Sequence, residues 1–159
     1  MQDEKSRLIK SWRREIKTTR AVISRIPESS DYRPDPKSRP AREIAWQIVI
    51  EERLLLEGLE RGRIEWADIK PPATMKEILA AYDEQISTFV ARLEALQDET
   101  WENPVPFLFG GQPVSNSRGI DSGWGFLFDI VHHRGQITTY LRAMGSTVPQ
   151  IYGPTADEP

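Results

Sequence analysis

Cysteine is absent from this 159-residue chain. Disulfide stapling and thiolate chemistry by the protein itself are therefore both excluded. Histidine is nearly absent, with two in the whole sequence. No apolar run approaches the roughly 20 residues that a membrane span needs. The first residues, Met1-Gln2-Asp3-Glu4-Lys5, lack the apolar segment of a secretory signal, so a cytoplasmic location is expected. No nucleophile elbow, phosphate-binding loop or Walker-type motif occurs, which leaves nucleophilic catalysis by the protein with little support. The net charge of −3 is too small to specify a charged partner. What remains is 38% hydrophobic and 28% charged, a globular composition long enough for one sizeable core.

Charge is unevenly spread. Between Met1 and Arg25 stand Lys5, Arg7, Lys10, Arg13, Arg14, Lys17, Arg20 and Arg25, against Asp3, Glu4 and Glu15. Trp12 is the single aromatic residue among them, not the series that a base-stacking platform requires. The pattern reads as the solvated face of an amphipathic helix, and it argues against a nucleic-acid partner.

Four segments carry the helical period. The first spans about Asp3 to Ile26 and is stopped by Pro27. A proline-punctuated crossing follows, from Glu28 through Ser30 to Pro40, long enough to reach the far end of a bundle. The second helix is expected from Ser38, as N-cap, to about Leu59, loosened by Gly58 and Gly62. The third starts after Pro71-Pro72, with Thr74 and Glu77 in a capping-box pattern. Asp98 to Gly123 is a long connection in which Phe107-Leu108-Phe109, Gly110-Gly111 and Val114 suit a short hairpin or a lid. The last helix is expected from about Ser122 to Met144, closed by Gly145. No strand pairing is convincing. The prediction is all-α, a four-helix bundle with long crossover connections, with residues 1–147 as one domain and 148–159 as a tail docked by Ile151 and Tyr152.

Both histidines fall in Asp129-Ile130-Val131-His132-His133-Arg134-Gly135-Gln136. His133 lies on the inward stripe between Ile130 and Ile137, and His132 is turned about 100° away. Asp129 precedes His133 by one turn, so the two share a face. Such a pair can share a metal ion, form an acid–base pair, or simply satisfy each other. An ionised Asp129 in a core needs a partner. His133, Arg134 and a cation are the candidates. The second helix offers Gln47 and Glu51, again four apart. Gln47, Glu51, Asp129 and His133 together make an oxygen-rich donor set with one nitrogen. A metal-free hydrogen-bond cluster is the other reading. Gly135, a mid-helix glycine, suggests a close helix–helix approach. Arg134 can point outward, to an anionic ligand or to a partner subunit.

Three stretches resemble the DinB family, damage-inducible-type four-helix bundles related to thiol-dependent S-transferases. They are His132-His133-Arg134-Gly135-Gln136 with Tyr140-Leu141-Arg142 and Gly145; Val148-Pro149 with Ile151-Tyr152-Gly153; and Tyr32-Arg33-Pro34 leading to Ile44-Ala45-Trp46-Gln47. The resemblance implies a divalent ion held by three histidines, at positions that are Gln47, Asp129 and His133 here. Two of the three are replaced by oxygen donors, which weakens the site and turns it toward harder ions. It further implies that the ion activates a low-molecular-weight thiol.

The expected function is a divalent-metal-dependent transferase, of the low-molecular-weight thiol S-transferase type, or a hydrolase. Gln47, Asp129 and His133 would hold Ni²⁺, Zn²⁺, Mn²⁺ or Fe²⁺. Glu51 would serve as catalytic base or as a further ligand. The alternative is a non-catalytic dimeric bundle or small-ligand-binding module that has lost the metal. A homodimer through the first and last helices is the expected assembly.

Overall fold

Each long amphipathic stretch folds as its periodicity predicts. The computed structural model describes residues 2–29 and 31–159; Met1 and Ser30, the latter inside the proline-punctuated crossing, lie outside the described residues. The elements are α1 (Gln2–Ile23), α2 (Ala41–Arg61), β1 (Ile64–Glu65), α3 (Met75–Ala95), α4 (Asp98–Glu102), β2 (Pro104–Phe109), β3 (Gln112–Arg118) and α5 (Gly119–Leu141), followed by a 3-10 turn at Arg142–Met144. The architecture is an all-α bundle of four long helices. Corners α1 and α2 face each other diagonally, each flanked by α3 and α5.

The apolar stripes meet in one core. Leu8 and Trp12 from α1, Ile48 and Leu55 from α2, Phe89 from α3 and Ile130 and Ile137 from α5 are all buried. Each such side chain stabilises the fold by roughly 1.5–3 kcal/mol relative to exposure. Trp12 and Phe89 pack with ring centroids 5.0 Å apart.

Helix ends follow local chemistry. Thr74 and Glu77 form the predicted capping box, with Glu77 N donating to Thr74 Oγ1 at 3.1 Å and Thr74 N to Glu77 Oε2 at 3.0 Å. The start of α2 differs from expectation. Pro40, not Ser38, is the N-cap, and no side chain caps it. Arg39 precedes a proline and is disfavoured in helical geometry, so the helix cannot begin earlier. Ser38 instead closes a turn, its N–H donating to Asp35 O at 2.9 Å. Gly58 does not loosen α2, which runs on to a left-handed C-cap at Gly62 (φ 75°). A Cβ at Gly58 would lie 2.8 Å from Ile64 Cα, so this glycine lets β1 turn back against the helix.

The 98–123 connection is structured. After α4, β2 and β3 pair antiparallel around Gly110 and Gly111, whose φ angles of 57° and 76° make the turn that matches strand twist. β1 adds to β2 in parallel, Ile64 opposite Phe107. The hairpin was one sequence option; the third strand is a departure, because two residues carry no readable period. α5 begins at Gly119, three residues earlier than expected, where its N–H donates to Asn103 O at 3.1 Å and ties the helix start to the base of the hairpin. Gly145 ends the final turn in the left-handed region, as expected.

Six of the eight early basic side chains are ion-paired within the chain. Lys5 meets Asp98, Arg7 Asp3, Arg13 Glu94, Arg14 Glu15, Arg20 Asp83 and Arg25 Glu158. The basic stretch is thus largely neutralised where it lies. Val148 and Pro149 are buried, and Asp157 accepts from Arg142 Nε at 2.9 Å and from Val148 N at 2.8 Å, so residues after 147 fold back onto the bundle. Among the described residues, no helix is long and apolar enough to cross a membrane.

Candidate metal centre

Gln47 and Glu51 leave α2 one turn apart, and Asp129 and His133 leave α5 one turn apart. Because α2 packs on α5, the two pairs converge. Donor atoms of Glu51, Asp129 and His133 all lie within 4.8 Å of one another. His133 Nε2 stands 3.5 Å from Glu51 Oε1 and 3.6 Å from Asp129 Oδ1. Gln47 Nε2 joins them, 2.5 Å from Glu51 Oε1 and 2.7 Å from His133 Nε2. All four residues singled out in the sequence meet at this point.

Their burial differs from expectation. His133 is buried and His132 exposed, as the helix period requires. Asp129, however, is 54% exposed at its side chain, so the cost of a buried carboxylate falls on Glu51, which is 1% exposed. Glu51 Oε2 is fully covered and has no hydrogen-bond partner. Leaving such an oxygen unmet costs on the order of 1–3 kcal/mol. Burial pushes the Glu51 carboxyl up, against hydrogen bonds from His133 and Gln47 that pull it down. Burial alone would lower the His133 pKa; hydrogen bonding with Glu51 and Gln136, and the charges of Glu51 and Asp129, carry it above 6.5.

The imidazole is oriented from behind. His133 Nδ1 donates to Gln136 Oε1 at 2.9 Å. With its single proton on Nδ1, the neutral ring presents the Nε2 lone pair to the cluster, the tautomer a metal ligand needs; protonated on both nitrogens, it donates to Glu51 instead. Gln136 was not singled out in the sequence, although its position three residues after His133 places it on the same face. Gln47 presents its NH₂ end to Nε2 and Glu51. A protonated ring or a metal ion would require the carbonyl end of that amide, a half-turn about its last side-chain torsion.

A cavity of about 570 Å³ opens beside the cluster, lined in part by Glu51, Asp129 and His132. The hairpin supplies one wall. Phe107 on β2 and Ser115 on β3 pair across the ladder, and Ser117 follows two residues on, so all three face one way. Trp66, just after β1, is fixed by its N–H donating to Leu108 O at 2.8 Å and lines the same space. On α5, Phe126 and Phe128 complete the aromatic lining; Phe107 meets Phe126 edge-on at 6.1 Å.

Two further buried polar groups lie outside this cluster. Arg134 points inward to α1, with Nη1 2.7 Å from Glu15 Oε2 and Nη2 2.7 Å from the Tyr152 hydroxyl. It is neither outward nor free for a ligand. Burial pushes Glu15 up, but hydrogen bonds from Arg134, Tyr152 and Arg14 outweigh it and hold the carboxyl below 4.5. On α2, burial pushes Glu52 up to about 8; it accepts from Tyr82 Oη at 2.9 Å and Gln85 Nε2 at 3.2 Å. Gly135 makes no close helix contact, since a Cβ there would meet nothing within 4 Å. The close approaches are at Gly58, Gly119 and Gly123.

The sequence profile of the DinB family matches residues 1–159. An uncharacterised protein of Bacillus subtilis (strain 168), YrdA, is 28% identical over 156 residues, covering 94% of this chain and 89% of that protein. Among solved structures, a DinB-like protein (YjoA) from Bacillus subtilis superposes with a TM-score of 0.72 at 18% identity, over 92% of this chain and 98% of that one. A DinB-like protein from Bacillus cereus ATCC 10987 gives the same TM-score at 24% identity, over 91% and 95%. At these identities the structural matches speak to the fold alone.

Proposed function

This chain belongs to the DinB family, and from that premise we propose that it is a divalent-metal-dependent transferase or hydrolase whose ion is held by Glu51, Asp129 and His133. The observation that carries this reading is the convergence of donor atoms from Glu51, Asp129 and His133 within 4.8 Å of one another, on a Glu51 carboxyl whose other oxygen is covered and partnerless. A cation is the partner that such an oxygen lacks. The donor set, two carboxylates and one imidazole, suits Mn²⁺, Fe²⁺ or Ni²⁺ at least as well as Zn²⁺. Gln47 and Glu51 thereby exchange the roles expected from the family pattern: Glu51 becomes a ligand, and Gln47 the neutral neighbour whose amide turns to accommodate it.

When bound, the ion would act as a Lewis acid and lower the pKa of a coordinated thiol or water. The chain's own residues do the rest. Gln136 keeps the proton on His133 Nδ1. Asp129, with its side chain 54% exposed, is the donor that faces solvent, and the hairpin wall limits water. A dimer through α1 and α5 belongs to the same proposal; sedimentation at high concentration should show it, and a strictly monomeric profile would count against it.

Gln47 favours a second reading. Its amide already bridges Glu51 and His133, as in a metal-free, small-ligand-binding module. Elemental analysis of untagged protein separates the two. Metal at near one equivalent, or a rise in Tm of several degrees on adding Mn²⁺ or Ni²⁺, is expected. Less than about a tenth of an equivalent, with no thermal response to either ion or to Zn²⁺, would sink the metal reading.

A further inference from the structure

The space next to the donor cluster constrains what it can hold. Four aromatic side chains, Trp66, Phe107, Phe126 and Phe128, line it, with hydroxyls at Ser115, Ser117 and Ser122. No Lys or Arg is among the lining residues, and His132 is the one imidazole. Glu51 and Asp129 bring two carboxylates, the first with a partnerless buried oxygen. A third, Asp121, is already matched by Arg118 through two bonds of 2.9 Å. Asp121 also sits in the first turn of α5 and so answers the positive end of that helix.

We infer that this cavity takes a small arylalkyl molecule whose polar end is an amine or an uncharged group, and that it rejects the carboxylate analogue. The inference rests on reading this cavity as the functional site, but not on the ion. Without metal, the two carboxylates make the pocket electronegative. With one divalent ion they only cancel its charge. In neither state does net positive charge remain to meet an anion, since a protonated His133 already faces both carboxylates, and burying an unmatched anion is costly. The aromatic wall recognises a flat apolar body and gains further from an ammonium group held over a ring face. The serine hydroxyls accept from an amine or alcohol and add no charge.

The test uses 2-phenylethylamine, 2-phenylethanol and phenylacetate, titrated calorimetrically into the full chain after chelator dialysis and again with Mn²⁺ present. The amine and the alcohol should bind, and phenylacetate at least about tenfold more weakly, in the metal-free protein. Phe128 is 65% exposed, so Phe128→Ala should fold normally and weaken both favoured probes several-fold. Asp129→Asn, also at an exposed position, should narrow the gap between amine and carboxylate. Equal or tighter binding of phenylacetate, no binding of any probe, or indifference of the favoured probes to Phe128→Ala would overturn the inference. Protein that holds no metal yet ranks the probes as stated loses only the ion. Protein that holds metal yet prefers phenylacetate loses only the ligand class.

Discussion

At the scale of single residues, charge placement on α5 is divided by direction. Successive helical residues point about 100° apart, so His133 faces α2 and Arg134 faces α1. The four donors were legible because i, i+4 spacing on two apolar faces is visible in a sequence. The Arg134–Glu15 pair was not, because periodicity cannot tell which neighbour a helix buried on two sides will meet. That pair has its own consequence. Glu15 has a folded pKa below its ordinary 4.5. Its contribution is therefore fully present above about pH 4.5 and disappears as pH falls through the lower, folded value. Urea unfolding across the acid range should show Glu15→Gln markedly less stable than the parent at neutral pH, with the difference shrinking toward pH 3. A constant difference across that range would refute this account of the pair.

At the scale of elements, the long helices were readable and the small sheet was not. A 20-residue stripe repeats its signal five or more times, whereas β1 has two residues and β2 is interrupted by Pro104 and Pro106. The glycines of α5 divide on the same physical ground. Gly123 lies against Leu8 and Trp101 with no room for a methyl group, whereas Gly135 is open. The structure gives no packing reason for glycine at 135. Gly135→Ala should raise stability by roughly 0.5–1 kcal/mol through helix propensity alone. Gly123→Ala should lower it by about 1–3 kcal/mol by overpacking. Chemical denaturation of the two variants checks both signs, and a destabilised Gly135→Ala would mean that this position has a contact with another molecule.

At the scale of the whole molecule, the last dozen residues complete the fold. The Tyr152 hydroxyl donates to Glu15 Oε2 at 2.9 Å while accepting from Arg134, and both Arg14 and Arg134 lie over its ring at 5.4 and 5.3 Å. A phenol carried by the tail thus closes a charge pair buried between α1 and α5. Tyr152→Phe should cost about 0.5–1.5 kcal/mol, since the ring is 63% exposed and water competes for the hydrogen bond. A chain ending at Thr147 should cost more, since the burial of Val148 and Pro149 is lost as well. Thermal unfolding of full-length, substituted and shortened chains should rank in that order; an unshifted Tm for the shortened chain would show the tail to be dispensable.

One hydrogen bond, Gly119 N to Asn103 O, brings the two ends of the β-ribbon together at the foot of α5. The residues between them form a continuous insert, braced from outside by β1, while the donors ride on the rods beneath. The cavity's wall and the donor cluster are in this sense separately editable. A chimera that exchanges only this cassette for one from another bundle of the same architecture would keep the cluster of Glu51, Asp129 and His133 and acquire a different roof.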